Sequence, residues 1–174
     1  MFKIKYKIYE YTDSENVNDE ILGLFGYFQL VINEFTYGTF YKEKNEFAFE
    51  IIYVRFIDML MGLKYLKEKP YIIINDIKNI GHGLEIKKDG NNIFVGPIYG
   101  RLTVPEDYLK SVGFNERNDQ YYTKFYPEKI SLKEFKEEIL KKSKSYLAEL
   151  EILNGKNSEL ITFLRKKIND CENN

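Results

Sequence analysis

The 174-residue chain is of one-domain size, and with 44% hydrophobic residues it can bury about 70% of its unfolded surface without a metal or disulfide staple. Lys and Arg total 26 against 27 Asp and Glu, a net charge of -1, which argues against a general nucleic-acid binder. One cysteine, Cys171 near the C-terminus, excludes an intrachain disulfide framework, has little prospect of burial and fits a reducing cytoplasm.

The opening MFKIKYKIYEY alternates lysine with apolar residues and lacks the apolar core and cleavage site of a signal peptide. Phe2, Ile4, Tyr6 and Ile8 share one parity and Lys3, Lys5 and Lys7 the other, which predicts a half-buried strand. Thr12 to Glu20 is polar and turn-rich. Tyr27 to Tyr41 is dense in β-branched and aromatic residues and predicts a long strand or a hairpin. Its apolar parity switches near Asn33 and Glu34, which indicates a bulge or bend, or a strand covered on both faces.

From Phe47 to about Lys67, Phe49, Ile52, Phe56, Met59, Leu60, Leu63 and Leu66 recur at helical spacing, with Glu50, Arg55 and Asp58 on a narrower polar side. Arg55, Asp58 and Lys64 interrupt this apolar stretch too often for a membrane span. Pro70 stops the helix, and Tyr71 to Ile74 reads as a strand in the middle of a sheet. Leu84 to Lys88, the turn residues Asp89, Gly90 and Asn91, and Ile93 to Val95 predict a hairpin.

Pro105 to Val112 reads as a short helix closed by Gly113, and Tyr121 to Tyr126 as a further strand. Ser131 and Glu134 form a capping-box pattern at the start of a helix whose apolar stripe is Phe135, Ile139, Tyr146, Leu150 and Leu153. Gly155 ends it. A last helix from about Glu159 to Ile168 presents Leu160, Phe163 and Leu164 on one side and Arg165, Lys166 and Lys167 near its C-terminus. These elements predict one α+β domain over residues 1–174: a mainly antiparallel β-sheet packed by a central helix and two C-terminal helices.

No catalytic set is legible. His82 is the only histidine, and neither it nor Cys171 has metal-ligand spacing with carboxylates, so no metal or cofactor is expected. The glycines form no phosphate-binding loop. Adjacent carboxylates such as Glu137 and Glu138 diverge on a helix and read as solvated surface. Tyr121, Tyr122, Phe125 and Tyr126 with Lys124 and Lys129 form a small aromatic and basic set, but without a ribonucleoprotein signature the expected partner is not a nucleic acid. His82, Glu85 and Tyr99 remain as an alternative, a small-ligand or enzymatic pocket formed only in the fold.

Charge is uneven along the chain. Glu10, Asp13, Glu15, Asp19, Glu20, Glu34, Glu43, Glu46 and Glu50 face only Lys42 and Lys44 between positions 10 and 50. Together with many tyrosines, this favours a non-enzymatic protein that works by binding another macromolecule. Tyr27, Tyr37 and Tyr41, which share sequence parity, are the expected aromatic anchors.

The stretch GYFQLVINEFTYG, residues 26–38, followed by IIYVRFIDML, residues 51–60, resembles small bacterial immunity proteins of polymorphic or contact-dependent growth-inhibition toxin systems. The resemblance spans about residues 20 to 100. It implies a cytoplasmic, one-to-one inhibitor of a cognate protein toxin with a basic surface, such as a nuclease. The contacts under this reading are Glu10, Asp13, Glu15, Asp19, Glu20, Glu34, Glu43 and Glu46 with Tyr27, Tyr37 and Tyr41. The sequence leaves the oligomeric state open.

Overall fold

A computed structural model describes residues 1–9, 22–43, 50–76, 82–100, 121–123, 127–156 and 158–173. The element order is β1 Phe2–Ile8, β2 Phe25–Ile32, β3 Phe35–Thr39, β4 Glu50–Ile51, α1 Ile52–Glu68, β5 Tyr71–Asn75, β6 His82–Asp89, β7 Asn92–Gly100, β8 Tyr121–Thr123, β9 Glu128–Ser131, α2 Leu132–Asn154 and α3 Glu159–Glu172. The fold is α+β, but among the described residues the strands form two antiparallel sheets rather than one. The first has the order β1-β2-β3, with β4 also on β2; the second has the order β5-β6-β7-β8, with β9 also on β7.

The parity switch at Asn33 and Glu34 is a hairpin turn. Ile32 pairs with Phe35, and Asn33 takes the left-handed φ of 53° that a tight turn needs. Reversal through two residues carries Phe28, Leu30 and Ile32 onto the same face as Phe35 and Tyr37, although their parities differ. In the second hairpin Asp89 pairs with Asn92, and Gly90 supplies the positive φ of 57°. Among the described residues β5 pairs with β6 alone, so Tyr71–Asn75 stands at the end of the sheet that they form and not in its middle. Its apolar run reflects burial on both faces, since Ile72, Ile73 and Ile74 are all buried.

One hydrophobic cluster joins the inner faces of both sheets to all three helices. α1 lies at its centre, and the Phe56 ring stacks on Tyr146 of α2 at 4.7 Å while Tyr6 meets both rings edge-on. The Tyr146 hydroxyl donates to the Gly23 carbonyl at 2.9 Å, and the Asn154 amide brackets Leu22, accepting from its N–H and donating to its carbonyl. These bonds hold the segment before β2 against the second half of α2. Gly26 sits where β1, β2 and β4 meet, at φ 155°, and an added Cβ would lie 2.0 Å from the Lys7 carbonyl.

α1 begins at Ile52 rather than near Phe47; residues 44–49, which include Phe49, lie outside the described residues. The expected helix Pro105 to Val112 with Gly113 also lies outside them, as do residues 124–126 of the strand from Tyr121. At α2, Ser131 Oγ accepts from the Glu134 amide at 3.5 Å, but the Glu134 carboxylate does not complete a capping box. It accepts instead from the Phe2 amide at 2.7 Å.

α3 runs to Glu172 and buries Ile161, Leu164, Ile168 and Cys171, a stripe of three- and four-residue steps. Phe163 falls outside that stripe and is exposed, while Cys171 is buried with its thiol 3.3 Å from the Leu60 carbonyl of α1. The expectation of an exposed terminal cysteine fails because the final helix continues past Ile168 and packs on α1. No described helix is long and apolar enough to cross a membrane.

Candidate functional site

The strand register assigns a face to each residue of the first sheet. Phe2, Ile4, Tyr6, Phe28, Leu30, Ile32, Phe35 and Tyr37 turn toward α1 and α2. The opposite face carries Lys3 beside Val31 and Thr36, Lys5 beside Gln29 and Gly38, and Lys7 beside Tyr27. Lys3, Lys5, Lys7, Thr36 and Gly38 are exposed.

At one end of this outer face is an aromatic corner. Tyr27 is fully buried there, in ring contact with Tyr9 at 5.1 Å, Tyr41 at 5.7 Å and Phe40 at 6.1 Å. Its hydroxyl donates to the Glu43 carbonyl at 2.9 Å. Ring packing and this bond together hold residues 40 to 43, leaving Tyr41 46% exposed with Lys42 and Glu43 exposed beside it. The Lys7 ammonium lies 4.7 Å from the centre of the Tyr9 ring, a cation–π contact.

The polar side of α1 is not solvated. Arg55 is buried, its Nε donating to Glu50 at 2.5 Å and its Nη2 to Asp76 at 2.9 Å. Glu50 and Asp76 are themselves buried, and the Tyr37 hydroxyl donates to the second Asp76 oxygen at 3.4 Å. Burial alone would favour a neutral Arg55, but the two carboxylates outweigh it and hold the guanidinium more firmly protonated. Burial and Asp76 push the Tyr37 phenol up. The network joins β4, α1, β3 and the end of β5, so Glu50 belongs to a structural ion cluster and not to an acidic surface.

Of the residues expected to contact a partner, Glu10, Asp13, Glu15, Asp19, Glu20 and Glu46 lie outside the described residues. Tyr27 is the correction among the anchors: a ring without solvent exposure supports Tyr41 from below and cannot itself be a contact. Tyr37, turned to the inner face by the hairpin, is committed to Asp76, so the three tyrosines do not form one surface. Tyr41 is exposed. Glu34 and Glu43 are exposed but stand at opposite ends of β3.

Of the three members of the pocket alternative, the register pairs His82 with Tyr99 and sets Glu85 apart from them. His82 and Glu85 are three positions apart on β6, which places them on opposite faces of the sheet. His82 is exposed, while Glu85 is buried and accepts from the Tyr71 hydroxyl at 2.5 Å. Tyr99 is the register partner of His82. Among the described residues no group of three or more His, Cys, Asp or Glu could hold a metal ion.

Sequence reasoning missed the contributions of Phe40, Tyr9 and Arg55. Their roles depend on cross-strand register and on the meeting of elements distant in sequence. The available signal was the clustering of Tyr and Phe in the first 41 residues, which marked the region without giving faces. Comparison with protein-family models, with curated proteins and with solved structures gives no match for the chain.

Proposed function

We propose that the protein is an immunity protein, acting in the cytoplasm by binding a cognate bacterial toxin and occluding its active surface rather than by turning over a substrate. The observation that carries this reading is the seating of Tyr41. Its exposed ring rests on the buried Tyr27, and the chain beside it is tied by the bond from Tyr27 to the Glu43 carbonyl. A tyrosine held in this way binds without first losing much side-chain freedom, which is the property of an interface anchor. Glu43 next to it supplies a carboxylate for a basic partner surface. Glu10, Asp13, Glu15, Asp19, Glu20, Glu34 and Glu46 enter the reading through charge, which speeds association and selects the partner.

The test is coexpression with the C-terminal domain of a large secreted protein encoded next to this chain. A one-to-one complex and protection of the cells are expected, with Tyr41→Ala weakening the complex by about 2 kcal/mol or more while the fold is kept. A toxic neighbouring domain that neither binds nor is neutralised by the protein overturns the reading.

A further inference from the structure

The outer face of the first sheet is a second surface that adjoins the Tyr41 corner at one end, and what it binds is argued independently of the toxin reading. Lys3, Lys5 and Lys7 stand in one column along β1, with their Cα positions about 7 Å apart from the alternate-residue rise of a strand. Beside them the floor is low: Val31 and Thr36 in one row, Gln29 and the side-chain-free Gly38 in the next. Gly38 is at φ 86°, and a Cβ there would lie 2.4 Å from the Phe28 carbonyl, so the backbone itself keeps that position without a side chain. Thr36 and Gly38 are exposed and Gln29 and Val31 half-buried, so these two rows are open to solvent, whereas the third is closed by the buried Tyr27.

We infer that this face binds an acidic, extended polypeptide segment. Alternate carboxylates on an extended chain repeat at the same spacing of about 7 Å as the lysine column, so successive Asp or Glu side chains reach successive ammonium groups. Gln29 and Thr36 provide hydrogen-bonding groups for a main chain lying across the floor. A single-stranded nucleic acid also has a repeating negative charge, but it needs open ring faces for its bases. The two open rows hold no ring, since they consist of Val31 with Thr36 and Gln29 with Gly38; at the end of the face Tyr27 is buried and the Lys7 ammonium stands over Tyr9, which leaves the single exposed ring of Tyr41 beyond the closed third row. The charge fits both classes, and the floor fits the polypeptide.

The experiment is a titration of the isotope-labelled full chain with a soluble poly-glutamate peptide and, separately, with oligo(dT) of equal charge, at low salt and at 0.15 M salt. Poly-glutamate is expected to shift the amide signals of β1, Gln29, Thr36 and Gly38, with affinity falling as salt rises. The triple variant Lys3→Glu, Lys5→Glu, Lys7→Glu is expected to weaken that binding by about tenfold or more, and the milder triple change to Gln by a smaller factor. Because all three lysines are exposed, the Gln variant keeps the test valid if charge reversal disturbs the strand. Tyr41→Ala is expected to leave poly-glutamate binding unchanged, which separates this surface from the toxin-binding corner. Tighter binding of oligo(dT) on the same residues, shifts confined to other parts of the molecule, or no binding at low salt each overturn the inference.

Discussion

The backbone amide of Ile4 donates to the carboxylate of Glu138 at 3.0 Å, although 134 positions separate the two residues. The Phe2 amide is held in the same way by Glu134, one helical turn earlier on α2. Two carboxylates at i and i+4 thus receive alternate amides of β1 on the side away from β2, where an unpaired strand edge would otherwise offer its donors to another chain. Glu138, which reads in sequence as solvated surface beside Glu137, is therefore half of an edge seal; Glu137 is indeed exposed.

Replacing both carboxylates, as Glu134→Ala with Glu138→Ala, is expected to cost about 1 to 3 kcal/mol in total, since these are charge-assisted bonds at a partly solvated site. The amides of Phe2 and Ile4 should exchange with solvent faster, and self-association should rise with concentration. Hydrogen-exchange NMR and light scattering read the two effects. Unchanged exchange at both amides would show that the carboxylates do not protect the edge.

Arg55 gives the second prediction. Removing its guanidinium as Arg55→Met leaves Glu50 and Asp76 buried without their shared cation, a change expected to destabilise the protein by about 3 to 5 kcal/mol at neutral pH. The triple variant Arg55→Met, Glu50→Gln, Asp76→Asn should recover much of that loss, because no buried charge is then uncompensated. Denaturant unfolding compares the three proteins. Equal stability of wild type and Arg55→Met would contradict the assignment of this cluster as the tie between β4, α1 and β5.

The contrast between Arg55 and the elements around it shows what sequence periodicity carries. β1, α1, the hairpin at Gly90 and the start of α2 at Ser131 are written in local spacing, turn residues and capping groups, and the structure contains all of them. Which face a residue occupies after the turn at Asn33, or which carboxylate reaches Arg55, depends on partners from other elements. Tyr27, Tyr37 and Tyr41 share a parity in sequence, but the hairpin puts Tyr27 and Tyr37 on opposite faces. The buried ion cluster was invisible for the same reason: a charged residue on a helix reads as solvated until opposite charges converge on it from elsewhere. The acidic residues from Glu10 to Glu20 were legible as charge, and they lie outside the described residues.

Asp58, on the same helix as Arg55, makes stability depend on pH. Burial raises its carboxyl to about 6 from an ordinary value of 3.8, with Arg55 acting in the opposite direction. Between those values the folded chain retains a proton that the unfolded chain has released, so this group's contribution falls as pH rises from about 4 to 6 and stays lost above that. The full shift corresponds to at most about 3 kcal/mol, and partial solvent contact reduces it. Asp58→Asn is therefore expected to stabilise the protein by about 1 to 2 kcal/mol at pH 7 and to have little effect near pH 4. Urea unfolding of both proteins across this range gives the difference curve; a difference that does not grow between pH 4 and 6 would remove Asp58 as its source.

Cys171 reports on the docking of α3. Its thiol is buried against the Leu60 carbonyl, and burial pushes the thiol up from its ordinary value, so both access and thiolate formation are limited while α3 remains on α1. Reaction of the native protein with a disulfide reagent such as DTNB should be slower than that of the urea-unfolded chain by about a hundredfold or more. The reaction should accelerate in a variant that weakens the same helix face, such as Ile168→Ala, which removes a buried side chain from the α3 stripe and is expected to cost about 2 to 4 kcal/mol. Because Ile168 does not alter the thiol chemically, a faster reaction in that variant measures undocking of the helix. If the native thiol instead reacts at the rate of the unfolded chain, the last turn of α3 does not hold Cys171 against α1 in solution.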